Sequence, residues 1–122
     1  MSRILPLTLA ASLLRPDQGY PGFEISTEVG AIRIRGYLST GSRGWSLRAE
    51  AARRRSVITV HVTAIEAEEV RVPDLERYAY EAVVWVGDPG RYSIRVAHAF
   101  VLRGSGGYAL PRPVHEETLS VP

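Results

Sequence analysis

Acid–base chemistry near neutral pH calls on histidine, and the chain holds three: His61, His98 and His115. A Ser-His-Asp relay needs a positioned nucleophile beside its base, and no such pattern surrounds any of them. His98 shares the parity of Tyr92, Ile94, Val96 and Phe100, which makes it a hydrogen-bonded core histidine on an apolar strand face. His61 lies opposite in parity to Ile58, Val60 and Val62 and belongs at the surface. Gly104-Ser105-Gly106 lacks the nucleophile-elbow pattern and its strand-to-helix setting. His115 with Glu117, and Glu66 with Glu68 and Glu69, are the ligand-rich stretches. Both read as solvated edges, and no calcium-loop spacing appears. Residues 41–44 and 104–107 are too short for a phosphate loop, which must lead from a strand into a helix. The chain has no cysteine, so disulfides, thiolate chemistry and Cys-based zinc sites are excluded. No catalytic, cofactor-binding or metal-ligating residue is assigned, and a non-enzyme is expected.

Binding chemistry finds better material. The two tryptophans and six tyrosines are many for a chain of 122 residues. Trp45, Tyr80 and Tyr92 fall at core or corner positions, whereas Trp85, Tyr37 and Tyr108 point outward by parity or lie in loops. Exposed aromatic side chains combined with arginine favour contact with protein or glycan, and the loops at one end of a sandwich commonly carry function. Arg43, Trp45, Tyr108 and Arg112, in the stretches 39–45 and 104–113, are therefore the candidate partner-binding residues.

The elements that must position them are strands. Residues 88–100 open on Asp-Pro-Gly and run into strict alternation, one face apolar. Residues 78–86 alternate in the same way, so the pair with its turn at 87–90 is expected to form a β-hairpin. Residues 23–29 and 31–38 give two more strands. Residues 47–55 are rich in helix formers, but the β-like run 56–64 needs a partner, and a strand hairpin is preferred over a helix there. Residues 65–75 are acidic and irregular and are expected to cross between sheets. Residues 104–113 read as a flexible loop, and 114–121 as a closing strand with Leu119 and Val121 inward. The total is about seven strands, the pattern of an all-β antiparallel sandwich.

Residues 1–18 form an apolar N-terminal segment ahead of a sandwich domain at 19–122. A basic start before the apolar run 4–14 resembles a signal peptide, yet Leu5, Leu7 and Leu9 also alternate as a strand that Pro6 would confine to a sheet edge. Such a strand would also allow homo-oligomers by pairing with a neighbour. The run is too short to span a bilayer, and no integral membrane segment is expected. All fifteen basic residues are arginine, and the net charge is +2. The single basic run, Arg53-Arg54-Arg55, reads as a solvated hairpin tip, and no nucleic-acid partner is expected.

Pro89, Gly90, Tyr92, Ile94 and Val96 match the P-G-x-Y-x-[VI]-x-V segment of bacterial immunoglobulin-like modules of the fibronectin-III and CARDB kind. With the closing Glu-Thr-Leu-Ser-Val-Pro, residues 31–122 resemble such modules, without the Cys pair these often carry. The resemblance implies an immunoglobulin-like sandwich, secreted or at the cell surface, acting as a structural or binding module. A weaker resemblance is to chagasin-type protease inhibitors, whose N-P-T-T-G-x-x-W, G-x-G-G and R-P-W loops are similar to residues 39–45, 104–107 and Arg112-Pro113. The order of the pieces differs. It implies a protease inhibitor as the second reading; a self-assembling filament or coat subunit is the third.

Overall fold

The computed structural model describes residues 2–15, 22–41, 44–66, 75–102 and 108–122. Among them are nine strands and no helix: β1 (Arg3–Leu5), β2 (Leu7–Leu13), β3 (Glu24–Glu28), β4 (Ala31–Thr40), β5 (Trp45–Arg54), β6 (Val57–Glu66), β7 (Glu76–Trp85), β8 (Gly90–Val101) and β9 (Tyr108–Val121). They form a five-stranded sheet, β1-β5-β6-β8-β9, and a four-stranded sheet, β2-β7-β4-β3. The fold is an all-β sandwich, with nine strands where about seven were expected. The two additional strands come from the apolar N-terminal segment.

That segment is one extended stretch broken at Pro6. Before the break, Arg3–Leu5 pair with Arg53–Ala51 of the five-stranded sheet; after it, Leu7–Leu13 pair with Val84–Tyr78 of the other. Proline has no N–H to give to a ladder, so the sheet switch falls where one hydrogen bond is missing in any case. Its carbonyl is used, accepting from Trp85 N at 3.0 Å. Both strands are sheet edges, as a proline-bearing strand requires. Leu5 is 3% exposed, and Leu7 and Leu9 pack against the core.

The expected hairpin between residues 78–86 and 90–101 does not form. β7 lies in the four-stranded sheet and β8 in the five-stranded one, so residues 86–89 arch from one layer to the other. The arch is fixed by where the backbone bonds go. The N–H groups of Val86 and Gly87 both bond to Gly30 O in the β3–β4 turn, at 2.9 and 3.2 Å, while Ser93 N bonds to Ser56 O in the β5–β6 turn at 2.8 Å. Gly87 sits at φ 87°, a conformation open to glycine at little cost. Because β7 is spent on the opposite sheet, β6 and β8 run in the same direction and pair in parallel, Val57 opposite Ser93 through Ile65 opposite Val101. Every other pairing is antiparallel, as expected. Tyr92 closes the arch as a corner residue: its hydroxyl donates to Asp88 O, four residues back, at 2.9 Å. The Arg53 guanidinium lies 4.9 Å over the Tyr92 ring and also pairs with Asp88 at 3.3 Å.

Residues 45–54 are a strand, β5, paired with β6 through the Arg55-Ser56 turn. Their helix-forming composition is overridden because β5 lies between β6 and β1 and buries Ala51. A second difference concerns residues 108–113, expected as loop. They belong to β9, whose register slips between Val96 and Ala97 and again between His98 and Phe100. β9 is an edge strand, where prolines at 111 and 113 and bulges are tolerated.

The core lies between Ile32, Ile34, Leu38, Tyr80, Ala82 and Val84 on one side and Ile58, Val60, Val62, Ile94 and Val96 on the other. Gly36 faces inward too, and a Cβ there would stand 2.6 Å from the Tyr80 hydroxyl and 2.9 Å from Phe23 Cζ. Glycine is needed so that these two rings can cross β4. Opposite the β1–β2 side, the sandwich is closed by an aromatic column. Phe23 stacks on His115 at 5.2 Å and lies 6.0 Å from His98, and His98 meets the Tyr80 ring edge-on at 5.6 Å.

Two substitutions test this account. Leu5→Ala is expected to lower unfolding stability by about 2–5 kcal/mol in urea denaturation, whereas a neutral result would mean that the N-terminal strand does not seal the core. Tyr92→Phe removes only the hydroxyl on the arch and is expected to cost about 1 kcal/mol in the same measurement.

Candidate functional site

The connections of the sandwich divide by length between its two ends. Two-residue turns, Val29-Gly30 and Arg55-Ser56, and the arch at 86–89 lie at one end. The end of β2, the facing ends of β4 and β5, of β6 and β7, and of β8 and β9 lie at the other. There Thr40 stands opposite Glu76, Leu13 opposite Tyr78, Trp45 opposite Glu66, and Val101 opposite Tyr108. This loop end is where the expected partner-binding residues converge in part.

Trp45 opens β5, and its ring meets Phe100 edge-on at 6.0 Å, half-buried at the mouth of the core. Tyr108 opens β9 on the same rim. Two strands, β6 and β8, separate it from Trp45, roughly 14 Å at ordinary strand spacing. Arg112 is exposed and lies farther down β9, opposite His98, so it is on a strand and not in a loop. Arg43 lies outside the described residues. The structure thus puts Trp45 and Tyr108 on one rim and sets Arg112 apart from them.

The sequence reading missed the polar cluster that holds this rim. The Tyr78 hydroxyl donates to Glu76 Oε1 at 2.8 Å and accepts from Trp45 N at 3.4 Å; Gly44 N donates to the same Glu76 oxygen at 3.2 Å. The Thr40 hydroxyl bonds to Glu76 O at 3.4 Å. Burial, reinforced by the Glu76 carboxylate, pushes the Tyr78 hydroxyl up to about 12, so it stays a donor across the physiological range. The cluster ties the entry of β5 to the start of β7, one sheet to the other. Glu66, opposite Trp45, is 1% exposed. Its inward parity with Val60, Val62 and Ala64 is legible in the sequence as a carboxylate on an apolar face, although the acidic composition of 65–75 obscures it.

The histidines take the places their parity implies. His98 is 7% exposed, and its Nε2 shares a 2.7 Å hydrogen bond with the Tyr80 hydroxyl across the two sheets. Burial pushes His98 down to about 4 and Tyr80 above the ordinary phenol range. A neutral imidazole bonded to a neutral phenol is a structural pair at neutral pH. His61 lies half-exposed on the outer face of β6. His115 stacks on Phe23 and approaches Glu117 at 3.5 Å. Among the described residues, no group of three or more His, Asp or Glu side chains is arranged to hold a metal ion, and no helix is long and apolar enough to cross a membrane. What the loop end offers chemically is hydrogen bonding and aromatic contact on a braced rim.

The His98 pair makes stability depend on pH with a definite sign. The unfolded chain takes up a proton near pH 6.5, and the folded chain does not until about pH 4. The stabilisation is therefore complete above pH 6.5 and is lost as pH falls through that window, by roughly 3 kcal/mol. The unfolding free energies obtained from urea denaturation at neutral pH and near the lower limit are expected to differ by that much less in His98→Gln than in the parent chain. An unchanged slope would show that His98 does not titrate across the sandwich.

Comparison with protein-family models, with curated proteins and with solved structures finds no match to this chain.

Proposed function

We propose that the chain is a non-enzymatic module of immunoglobulin-like type, working outside the cytoplasm as a structural or binding unit and meeting a protein or glycan at its loop end. The observation that carries this reading is the braced rim. Glu76, Tyr78 and Gly44 are committed to one another, and they hold Trp45 half-exposed at the mouth of the sandwich. Carboxylate and phenol are both engaged in fixing backbone, which favours a presenting surface over a reacting one. The tyrosine corner at Tyr92 and the two-layer arrangement support the immunoglobulin-like assignment. The parallel β6–β8 pair is a departure that any such assignment must accommodate.

The protease-inhibitor reading gains from one observation: Trp45 and Tyr108, adjacent in sequence to the two loop stretches it invokes, stand at the same end. It loses from Arg112-Pro113 being part of β9. Assembly through the N-terminal strand would require exchange, because β1 and β2 are paired within their own chain.

A glycan array and a panel of papain-like proteases, run beside ester, peptide and glycoside substrates, test the reading. Binding without turnover is expected, with at least about a tenfold loss of affinity in Trp45→Ala and a smaller loss in the exposed Arg112→Ala. Turnover of any substrate that is abolished by substituting Glu76 or Tyr78 would defeat it.

A further inference from the structure

The turn end of the molecule, opposite the candidate site, carries a second surface whose charge is not matched. On the outer face of the five-stranded sheet, Arg54, Val57 and Ser93 lie side by side, and Ala52, Thr59 and Arg95 form the next row. Arg91 stands two residues before Ser93 on the same face, and Arg55 occupies the β5–β6 turn. Between Arg54, Arg55 and Arg95 is a depression of about 470 Å³ floored by Ala52, Val57 and Thr59. Arg95 has Glu116 at 3.4 Å. Arg54, Arg55 and Arg91 form no ion pair with any described residue.

The other sheet shows what a neutralised face looks like in this chain. There Arg33 is engaged by Glu28 and Glu81, and Arg35 by Glu81 and Glu24. The contrast is one of placement, since the whole chain is only +2. Exposed aliphatic side chains accompany the unmatched arginines. Ile4 pairs with Ala52 on the rim of the depression and is 82% exposed; Val29, in the turn at the same end, is 84% exposed. Arg55 adds a conformational sign. It holds φ 57°, a left-handed value that a non-glycine residue adopts at a cost. Glycine would serve the turn better and would forfeit the charge.

We propose that this turn end docks on an anionic phospholipid surface, with Arg54, Arg55 and Arg91 receiving headgroup phosphates and Ile4 and Val29 entering the interfacial layer. Guanidinium groups match phosphate oxygens, and unpaired cations are drawn to an anionic leaflet. The aliphatic neighbours decide between polyanions. Ile4 and Val29 offer no face on which a base could stack, while an interfacial layer accepts them. This contact is peripheral and is independent of the loop-end reading, which uses the opposite pole of the sandwich.

Co-sedimentation of the full chain with vesicles tests it. Vesicles of phosphatidylcholine containing about a third phosphatidylglycerol are expected to bind the chain, and pure phosphatidylcholine is not. Added salt should weaken the binding. Each arginine removed should lower the partition about fivefold, so Arg54→Ala with Arg55→Ala should lose roughly twenty-fivefold, and Ile4→Ser should weaken it as well. Arg55→Gly separates docking from folding, because relieving the positive φ should hold or raise Tm while binding still falls about fivefold. Equal binding to both vesicle types, or undiminished binding by the double variant, would overturn the proposal. So would a chain that ignores vesicles and binds a duplex oligonucleotide or inorganic phosphate.

Discussion

The sandwich depends on one strand that belongs to both of its sheets. The change of layer falls at Pro6, which has no N–H to give to the ladder along β5. The chain pairs with β5 through Leu5 and then with β7 from Leu7 onward. Two sheets packed only by their inner side chains are open along both flanks. Here one flank is sealed by this shared strand, and the other by the column of Tyr80, His98, Phe23 and His115. The column imposes its own requirement, since two rings reach across β4 only because residue 36 has no side chain.

The two poles are built differently. At the turn end, Gly30 is a tie point, accepting from Val86 and Gly87 and donating to Pro122. Tyr92, Arg53 and Asp88 lock the arch beside it. With the arch held by these bonds, Arg54, Arg55 and Arg91 at the same pole point outward without an ion pair to any described residue. The loop end adds side chains to its backbone tie, Leu14 N to Arg77 O at 2.7 Å, with Glu76 and Tyr78 holding the entry of β5. A pole fixed by a part-buried carboxylate and a buried phenol has those groups committed to structure, and presents Trp45 at its rim.

Burial sets the character of the ionisable groups in the interior. His98 is neutral and bonded to Tyr80, and both are shifted toward their uncharged forms by loss of water. The same burial that makes the pair stable at neutral pH makes it costly in acid, because only the unfolded imidazole is free to take its proton. At the surface the logic reverses. Glu81 is held below the usual carboxylate range by Arg35 and Arg33, in a ladder that fixes strand alignment on the outer face of the smaller sheet.

Much of the fold was legible locally. Alternation alone told which residues of 31–38, 57–64 and 92–98 face inward, and it identified His98 as a core histidine and Tyr92 as a corner residue, because a strand's faces are set by its own pleat. Composition alone left β5 ambiguous, and the loop chemistry of 108–113 masked an edge strand whose prolines are tolerated only because β9 has a free side. Of the candidate site, Trp45 was visible as an aromatic beside a loop. The Glu76–Tyr78–Gly44 cluster was not, since its members come from two different sheets. The period-two pattern therefore determined the all-β class and the inward side of each strand, a property of neighbouring residues. Only the tertiary structure decided sheet membership: that the segment at Pro6 serves both layers, and that the turn at 87–90 arches instead of folding back. Those choices depend on which distant carbonyl, Gly30 or a strand partner, receives a given N–H, and no local pattern encodes that competition.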